Sequence, residues 1–510
     1  MTAWRFSIYR AVLGGNVLRY RPRRLLLLLV LFSPLISGLA INARANTLET
    51  IRTKIAQYLK RSGVRSASWG IEILDPATNE VLLAINPDKT FTPASVMKVV
   101  TTSAALEKLG SDFRFRTGVY TDGELQPDGT LNGNLILVGR GDPNLIDPYG
   151  ELIDKSALQE LTENLQTAGV KEVQGNLIGD DSYFNPTSSE NGWSAQQLKS
   201  VYGAPVNALS INNNLVTVYA RSTKQKSLVA VSVDPPTSYF RIRNLATTGT
   251  SKSKRTISAR VIPGSKTIVV SGVLPRGRTF SRPLLVDKPS LITTLMFKEE
   301  LKKHGITVSG NVDIIQSGDL PPTLRDQWNL LTEHVSPPLI RALEIINKRS
   351  ENLHAEMLLR TLGAEFKATG TDAAGLQVVR DFLEEAGIET DKVRLNDGCG
   401  LSRENLITPR FQTSLLQFLS TRPYFDLFLN TLAVSGTDGT LKNRMASEQV
   451  KGCIRAKTGS LHGVTTLSGY MTTKSGRNLA FSIFANNVNA SMARVKKTID
   501  EICTLFVNLD

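Results

Sequence analysis

Apolar residues recur at helical spacing over 46–60, where Leu48, Ile51, Ile55 and Leu59 share one face and predict a helix. Two alternating runs follow, Ser68–Leu74 and Glu80–Ile85. The turn formers of Asp75-Pro-Ala-Thr-Asn79 separate them, so the pair predicts a β-hairpin. Thr92-Pro93 then predicts a helix start, with Thr92 as cap and proline in the first turn, running through Leu109 to Gly110. From 113 to 335 the pattern shortens into β-like runs: Leu135–Val138, Leu215–Tyr219, Leu228–Val233, Ser258–Ile262, Thr267–Val270 and Val312–Ile315. One helical stretch, Lys155–Ala168, lies among them. Amphipathic helices return at Leu339–Asn347, Asn352–Leu362, Ala374–Ala386 and Phe411–Leu419. Strands at Thr465–Thr472 and Asn478–Asn486 and a last helix at Ala493–Phe506 complete the pattern. The simplest architecture is one α/β (α+β) domain in two parts, 46–112 and 336–510. A mostly β insertion of one or two subdomains, 113–335, would split it.

Composition narrows the class. The chain has 510 residues, 41% hydrophobic and 21% charged, as in ordinary globular proteins. A wholly disordered chain, a collagen-like repeat and a polytopic membrane protein are excluded. The net charge of +14 is uneven. Residues 1–45 hold seven Arg and no Lys, Asp or Glu; the remainder carries 53 basic against 46 acidic residues. That surplus suits an anionic polymer or peripheral association with a membrane surface. No Lys/Arg run interleaved with aromatics points to nucleic acid, and Ser251–Arg255 reads as a solvated basic loop.

Residues 1–45 read as an export signal. An Arg-rich segment ends at Arg23-Arg24, apolar stretches fill Leu25–Ile41, and Ala43-Arg44-Ala45 has the form of a cleavage site. A periplasmic or other extracytoplasmic protein starting at Asn46 is expected. An uncleaved anchor stays open, because Leu25–Ile41 is near the short limit for a spanning helix, roughly 17 residues. In an exported chain Cys399, Cys453 and Cys503 allow at most one disulfide; three reduced, buried thiols are the alternative. The four histidines show no metal-ligand spacing, and neither a P-loop nor a dinucleotide fingerprint occurs, so no metal and no cofactor is expected.

Three short motifs carry chemistry. Ser95-Val-Met-Lys98 opens a predicted helix, and i,i+3 spacing puts hydroxyl and amine on one face. A desolvated lysine can take the proton that makes serine a nucleophile. Ser251–Lys254 has the same spacing in a basic loop without a helix. Ser350-Glu-Asn352 is an S-x-N triplet; Ser189–Asn191, Ser210–Asn212 and Ser309–Asn311 match as well, and Ser350 would also serve as a helix cap. Lys457-Thr-Gly459 occurs once, followed by Ser460, and alone would read as a strand ending in a glycine turn.

Taken together and in this order, the three resemble the motif set of penicillin-binding proteins and serine β-lactamases. The wide gap between Ser95 and Ser350 resembles the D-alanyl-D-alanine carboxypeptidase/endopeptidase family, the class C low-molecular-mass penicillin-binding proteins. Further segments over about 47–505 are similar: Gly141-Asp-Pro143, Gly179-Asp-Asp-Ser-Tyr-Phe184, Tyr202-Gly-Ala-Pro205, Ala208-Leu-Ser210, Asp397-Gly-Cys-Gly-Leu-Ser-Arg403 and Ser435-Gly-Thr-Asp-Gly-Thr-Leu441. Cys399 stands where the family usually has serine.

The resemblance implies an exported serine DD-peptidase acting on the D-Ala-D-Ala end of peptidoglycan stem peptides, with β-lactams as covalent inhibitors. It implies Ser95 as nucleophile and Lys98 as base. Ser350 and Lys457 would relay a proton, and Asn352 would bind the substrate amide. Lys457 and Thr458 would hold the terminal carboxylate, Gly459 would belong to the same substrate-binding strand, and the N–H groups of Ser95 and Ser460 would form an oxyanion hole. Asp180 matches the place where the family meets the amine end of the stem. Alternatives are a β-lactamase or transpeptidase on the same scaffold, or a peptidoglycan-binding module without activity.

Overall fold

The computed structural model describes residues 47–146, 155–185, 192–319, 322–489 and 491–509. The leader, its Ala43-Arg44-Ala45 site and the Ser189–Asn191 triplet lie outside the described residues. Of a first compact unit, Met1–Lys54, only 47–54 are described, and they are helical. A second unit spans Ile55–Asp510.

Its largest sheet has six antiparallel strands in the order Ala433–Val434, Ile454–Leu461, Val464–Thr472, Asn478–Asn486, Ser68–Leu74, Val81–Ile85. Strands from both ends of the chain therefore share one sheet. Val464–Thr472 and Asn478–Asn486 are buried on both faces, so the small polar residues Thr465, Thr466, Ser468 and Ser482 lie in the interior beside their apolar neighbours. The helix Pro409–Ser420 packs on Asn478–Asn486 and Ser68–Leu74, while Met492–Val507 packs on Val464–Thr472. The helix Met97–Leu109 packs against Asn352–Lys367 and Asp372–Glu385.

The middle of the chain builds a five-stranded sheet: Val312–Ile315, Leu177–Asp180, Leu135–Val138, Arg116–Thr121, Asn329–Val335. Its last two strands pair antiparallel and bring the two ends of this region together. A small four-stranded sheet and two three-stranded sheets complete it, the latter pair formed between Leu215 and Leu285. Buried side chains form two large clusters, one joining residues of 74–115 to residues of 339–484 and the other within 119–306. A small third one packs Phe184, Val206 and Ala208 of the middle region against Leu353 and Met357 of the helix Asn352–Lys367.

Several local expectations need correction. Thr92 caps nothing: no side chain accepts at this helix start, and the Thr92 N–H donates to Oδ1 of Asn486 (2.8 Å). The middle region holds a second long helix, Pro289–Lys303, besides Ala157–Thr167. Its buried face includes Thr293 and Thr294, so the apolar stripe is broken in sequence. Thr279–Leu285 is a strand despite Pro283, because it lies at a sheet edge. Gly459 does not end a strand; it sits inside Ile454–Leu461.

Candidate active site

Ser95 stands in a 3-10 turn, Ala94–Val96, that runs directly into the helix Met97–Leu109. Ala94 has φ 49°, a left-handed conformation that a non-glycine residue holds only when its surroundings impose it. Two glycines let its surroundings close in. A Cβ on Gly400 (φ 82°) would collide with the Ala94 carbonyl, and a Cβ on Gly459 would collide with the Thr466 hydroxyl and crowd the Pro93 carbonyl. The loop 397–403 and the strand Ile454–Leu461 thus close on the serine's turn from two directions.

The i,i+3 geometry holds. Nζ of Lys98 lies 3.2 Å from Oγ of Ser95 and donates to Oδ1 of Asn352 and to the Cys399 carbonyl, each at 2.7 Å. Lys98 is fully buried, and among the described residues no carboxylate pairs with it. Desolvation therefore pulls its pKa below the ordinary lysine value, against the weaker pull of Cys399, Asp397 and Glu356. An uncharged amine here has two N–H groups for the two carbonyl oxygens, which leaves its lone pair for Ser95.

The second lysine repeats the device. Lys457 Nζ donates to Oγ of Ser350 (2.8 Å) and to the Thr458 carbonyl (2.9 Å). It too is fully buried; burial first, and the charge of Lys98 second, push its pKa well down. Ser350 follows a single π-helical stretch, Ile345–Arg349, and is left-handed at φ 67°. It does not cap the following helix, where Glu351 occupies the cap position and makes no capping bond to the helix. Asn352 uses both ends of its amide, because Nδ2 donates to the Tyr202 carbonyl (2.9 Å). Thr458 bonds Thr440 (2.8 Å). On its outer side the strand Ile454–Leu461 pairs only through Arg455 and Ala456, so beyond Lys457 its second edge has no strand partner among the described residues.

These side chains border a cavity of about 1080 Å³ whose lining includes Ser95, Ser350, Asn352, Thr458 and Ser460. Asp180 is not brought to it. That carboxylate is 1% exposed, accepts the Ser182 N–H, and pairs with Arg325 (3.0 Å) at the end of Leu177–Asp180. The decoy pair Ser251 and Lys254 lies in an exposed loop. All three cysteines are free, with Cys399 and Cys503 buried and Cys453 half-buried.

Motif reading misses the brace beneath Lys98. Oε1 of Glu356 accepts the N–H groups of Gly398 and Cys399. Asp397 accepts Gly400, Ser402, Asn405 and the Trp193 indole. Burial raises the Glu356 pKa, and Asp397 adds to the rise. The lone carboxylate in the helix Asn352–Lys367 that faces the core, Glu356, is the signal that marks it in the sequence. Glu356, Asp397 and Cys399 bring possible metal-ligand atoms within 4.8 Å of one another, but these N–H donors engage both carboxylates, which fits a loop brace better than a cation site.

Comparison with known proteins agrees with this geometry. Residues 51–506 match the family described as D-Ala-D-Ala carboxypeptidase 3 (S13). A D-alanyl-D-alanine carboxypeptidase of an Actinomadura species is 32% identical over 457 residues, covering 87% of this chain and 82% of that protein. The crystal structure of penicillin binding protein 4 (dacB) from Haemophilus influenzae superposes with a TM-score of 0.74 at 26% identity, over 88% of this chain and 98% of that one. The same protein complexed with a β-lactam gives 0.70 at 25% identity over the same shares.

Proposed function

The chain belongs to the D-Ala-D-Ala carboxypeptidase 3 (S13) family, and from that premise we propose how its own residues cleave the stem peptide. It is a serine-type D-Ala-D-Ala carboxypeptidase acting on peptidoglycan. In the proposed cycle, uncharged Lys98 takes the Ser95 proton as Oγ attacks the carbonyl of the penultimate D-Ala. The N–H groups of Ser95 and Ser460 receive the oxyanion. Ser350, bonded to Lys457, passes a proton to the departing D-Ala nitrogen. Lys457 and Thr458 hold the terminal carboxylate, and the stem lies along the open edge beside Gly459. Asn352 orients Lys98, and it reaches a substrate amide by releasing the Tyr202 carbonyl. Water then adds to the ester and frees Ser95. The cavity has room for a branched stem, so cleavage of cross-links belongs to the same proposal.

One observation carries this reading: a buried Lys98 without a carboxylate partner, 3.2 Å from Ser95 Oγ. Its test is the site and lifetime of a penicillin adduct. We expect a long-lived adduct whose mass maps to the peptide containing Ser95, and none in Ser95→Ala. Fast turnover would favour a β-lactamase, and absence of any adduct an inactive module.

Two wider readings belong with it. The division 46–112 plus 336–510, interrupted by 113–335, is supported by the shared six-stranded sheet and by the two large side-chain clusters. Export through residues 1–45, with peripheral contact to an anionic envelope surface, follows from the leader's pattern and the remaining positive charge.

A further inference from the structure

Most of that positive charge has an address. Between Leu215 and Leu285, the span of the two three-stranded sheets, thirteen Lys and Arg stand against a single carboxylate, Asp234. No ion pair joins any of them among the described residues. Chain direction sorts them. The strand Leu215–Arg221 ends in the loop 222–229, which carries Lys224 and Lys226 just after Arg221. Arg241–Thr248 runs to the same end, where the loop 249–257 carries Lys252, Lys254 and Arg255. Thr267–Leu274 also arrives there, and its turn carries Arg276 and Arg278.

Backbone bonds knit the three loops into one tip: Ser222 N–H to the Arg278 carbonyl (3.2 Å), Lys226 N–H to Thr248 (2.8 Å), and Gly249 N–H to Leu274 (3.0 Å). All eight basic residues are exposed, and the loops contain no Asp or Glu. Leu228, 53% exposed, stands among them. The opposite end of the module is the moored one, where Ser238 N–H donates to Glu299 of the helix Pro289–Lys303 (2.8 Å).

We propose that this three-loop tip docks the protein on the anionic headgroups of a lipid bilayer. Eight cations without an ion-pair partner among the described residues, of which Arg255 also lies over the Phe280 ring (5.6 Å), make a field at one end that an extended anionic partner complements, and clusters of this size bind acidic lipid surfaces. The exposed Leu228 favours a bilayer over a charged polymer, since an apolar side chain among lysines suits the boundary between headgroup and acyl chain. The inference gives the peripheral contact proposed above a surface, and it is independent of the peptidase mechanism.

The test uses the full chain with vesicles of phosphatidylcholine, with and without phosphatidylglycerol, at rising salt. Wild type should bind only the anionic vesicles and detach as salt rises. The variant K224Q/K226Q/K252Q/K254Q should bind on the order of 10³-fold more weakly. The pair R276Q/R278Q, in a different loop, should lose on the order of tenfold by itself, so a folding fault in one variant does not decide the outcome. Both variants keep residues 1–45, which therefore cancel in the comparison, and both should cleave a small soluble peptide at the wild-type rate. Equal binding by wild type and both variants, or binding indifferent to phosphatidylglycerol or salt, overturns the proposal. So does binding to soluble polyphosphate without binding to vesicles, which would make the partner a polymer.

Discussion

Lys98 and Lys457 in the cleft and the basic residues of the three-loop tip share one property: none has a carboxylate partner among the described residues. Their surroundings make them opposites. The two cleft lysines are fully buried, so loss of water disfavours their charge and leaves amines able to accept protons. The tip residues lie in water, where a cation keeps its charge and acts only through a field. An unpaired lysine is thus a base or an electrostatic anchor according to its burial, and composition alone cannot tell the two apart.

The strongest way to break this contrast is to restore a permanent charge in the cleft. Lys98→Arg keeps length and charge but cannot be deprotonated at working pH. It should lower the rate of acylation by β-lactam and the cleavage of peptide on the order of 10³- to 10⁴-fold, as should Lys98→Met. Rapid-quench acylation measures this; near-wild-type acylation by the arginine variant would show that Lys98 is not the base. The sign of the pH effect follows from the same burial. The base form is the uncharged one and its pKa is lowered, so acylation should rise with pH and level off below the ordinary lysine value. Neutralising the tip should leave that limb in place.

A second variant tests whether the turn around Ser95 depends on its neighbours. Gly400 has φ 82°, and a Cβ there would strike the Ala94 carbonyl. Gly400→Ala should therefore displace the serine's turn and cost on the order of 10²-fold in kcat, the usual scale for a misplacement near 1 Å. KM for a small peptide should change far less. An unchanged kcat would mean the loop 397–403 does not set the position of Ser95.

How much of this was legible before the fold was known differs between the same two regions. The cleft announced itself because chemistry restricts its residues: a serine with lysine at i+3, then Ser350 and Asn352, then Lys457, in that order. What holds the cleft in shape was hidden. Ala94 and Ser350 adopt left-handed backbone that no local pattern encodes, and Glu356 is marked only by being a carboxylate on the apolar face of its helix, which does not say what it holds. Gly459 looked like a turn because its reasons are spatial: the distant Pro93 and, across the strand pair, Thr466. The tip was hidden differently. Its charges are spread over three loops between 221 and 278, so only Ser251–Arg255 stood out as a basic stretch, and only strand direction gathers the rest. The helix Pro289–Lys303 escaped because buried threonines interrupt its apolar face.

Exposed substitutions in the tip should be nearly silent in the cleft. For K224Q/K226Q/K252Q/K254Q we expect kcat/KM on a soluble peptide within about twofold of wild type, and each substitution to change stability by no more than about 0.5 kcal/mol. Steady-state kinetics and chemical denaturation check this. A large loss of activity on soluble substrate would mean that the two regions are coupled and that the contrast between them fails.

The smallest effect is expected at Cys399. The residue looks critical, because it touches the base: Lys98 donates to it at 2.7 Å. The acceptor is the backbone carbonyl, however, and Glu356 holds the residue from its other side, accepting the N–H of the preceding peptide at Cys399 (2.7 Å). Neither bond involves the side chain. The thiol is fully buried with its pKa raised by desolvation, so it is neither thiolate nor base. Its Sγ lies 3.8 Å from Oδ2 of Asp397, a weak contact that a serine hydroxyl can replace with a shorter bond from nearly the same position. Cys399→Ser should therefore alter acylation less than about threefold and stability by less than about 1 kcal/mol, while Glu356→Ala, which unpins the Gly398 and Cys399 N–H groups just before this carbonyl, should slow acylation far more. If Cys399→Ser slowed acylation as much as Lys98→Met, the side chain rather than the backbone would be positioning the base, and the brace beneath Lys98 would have been assigned to the wrong atoms.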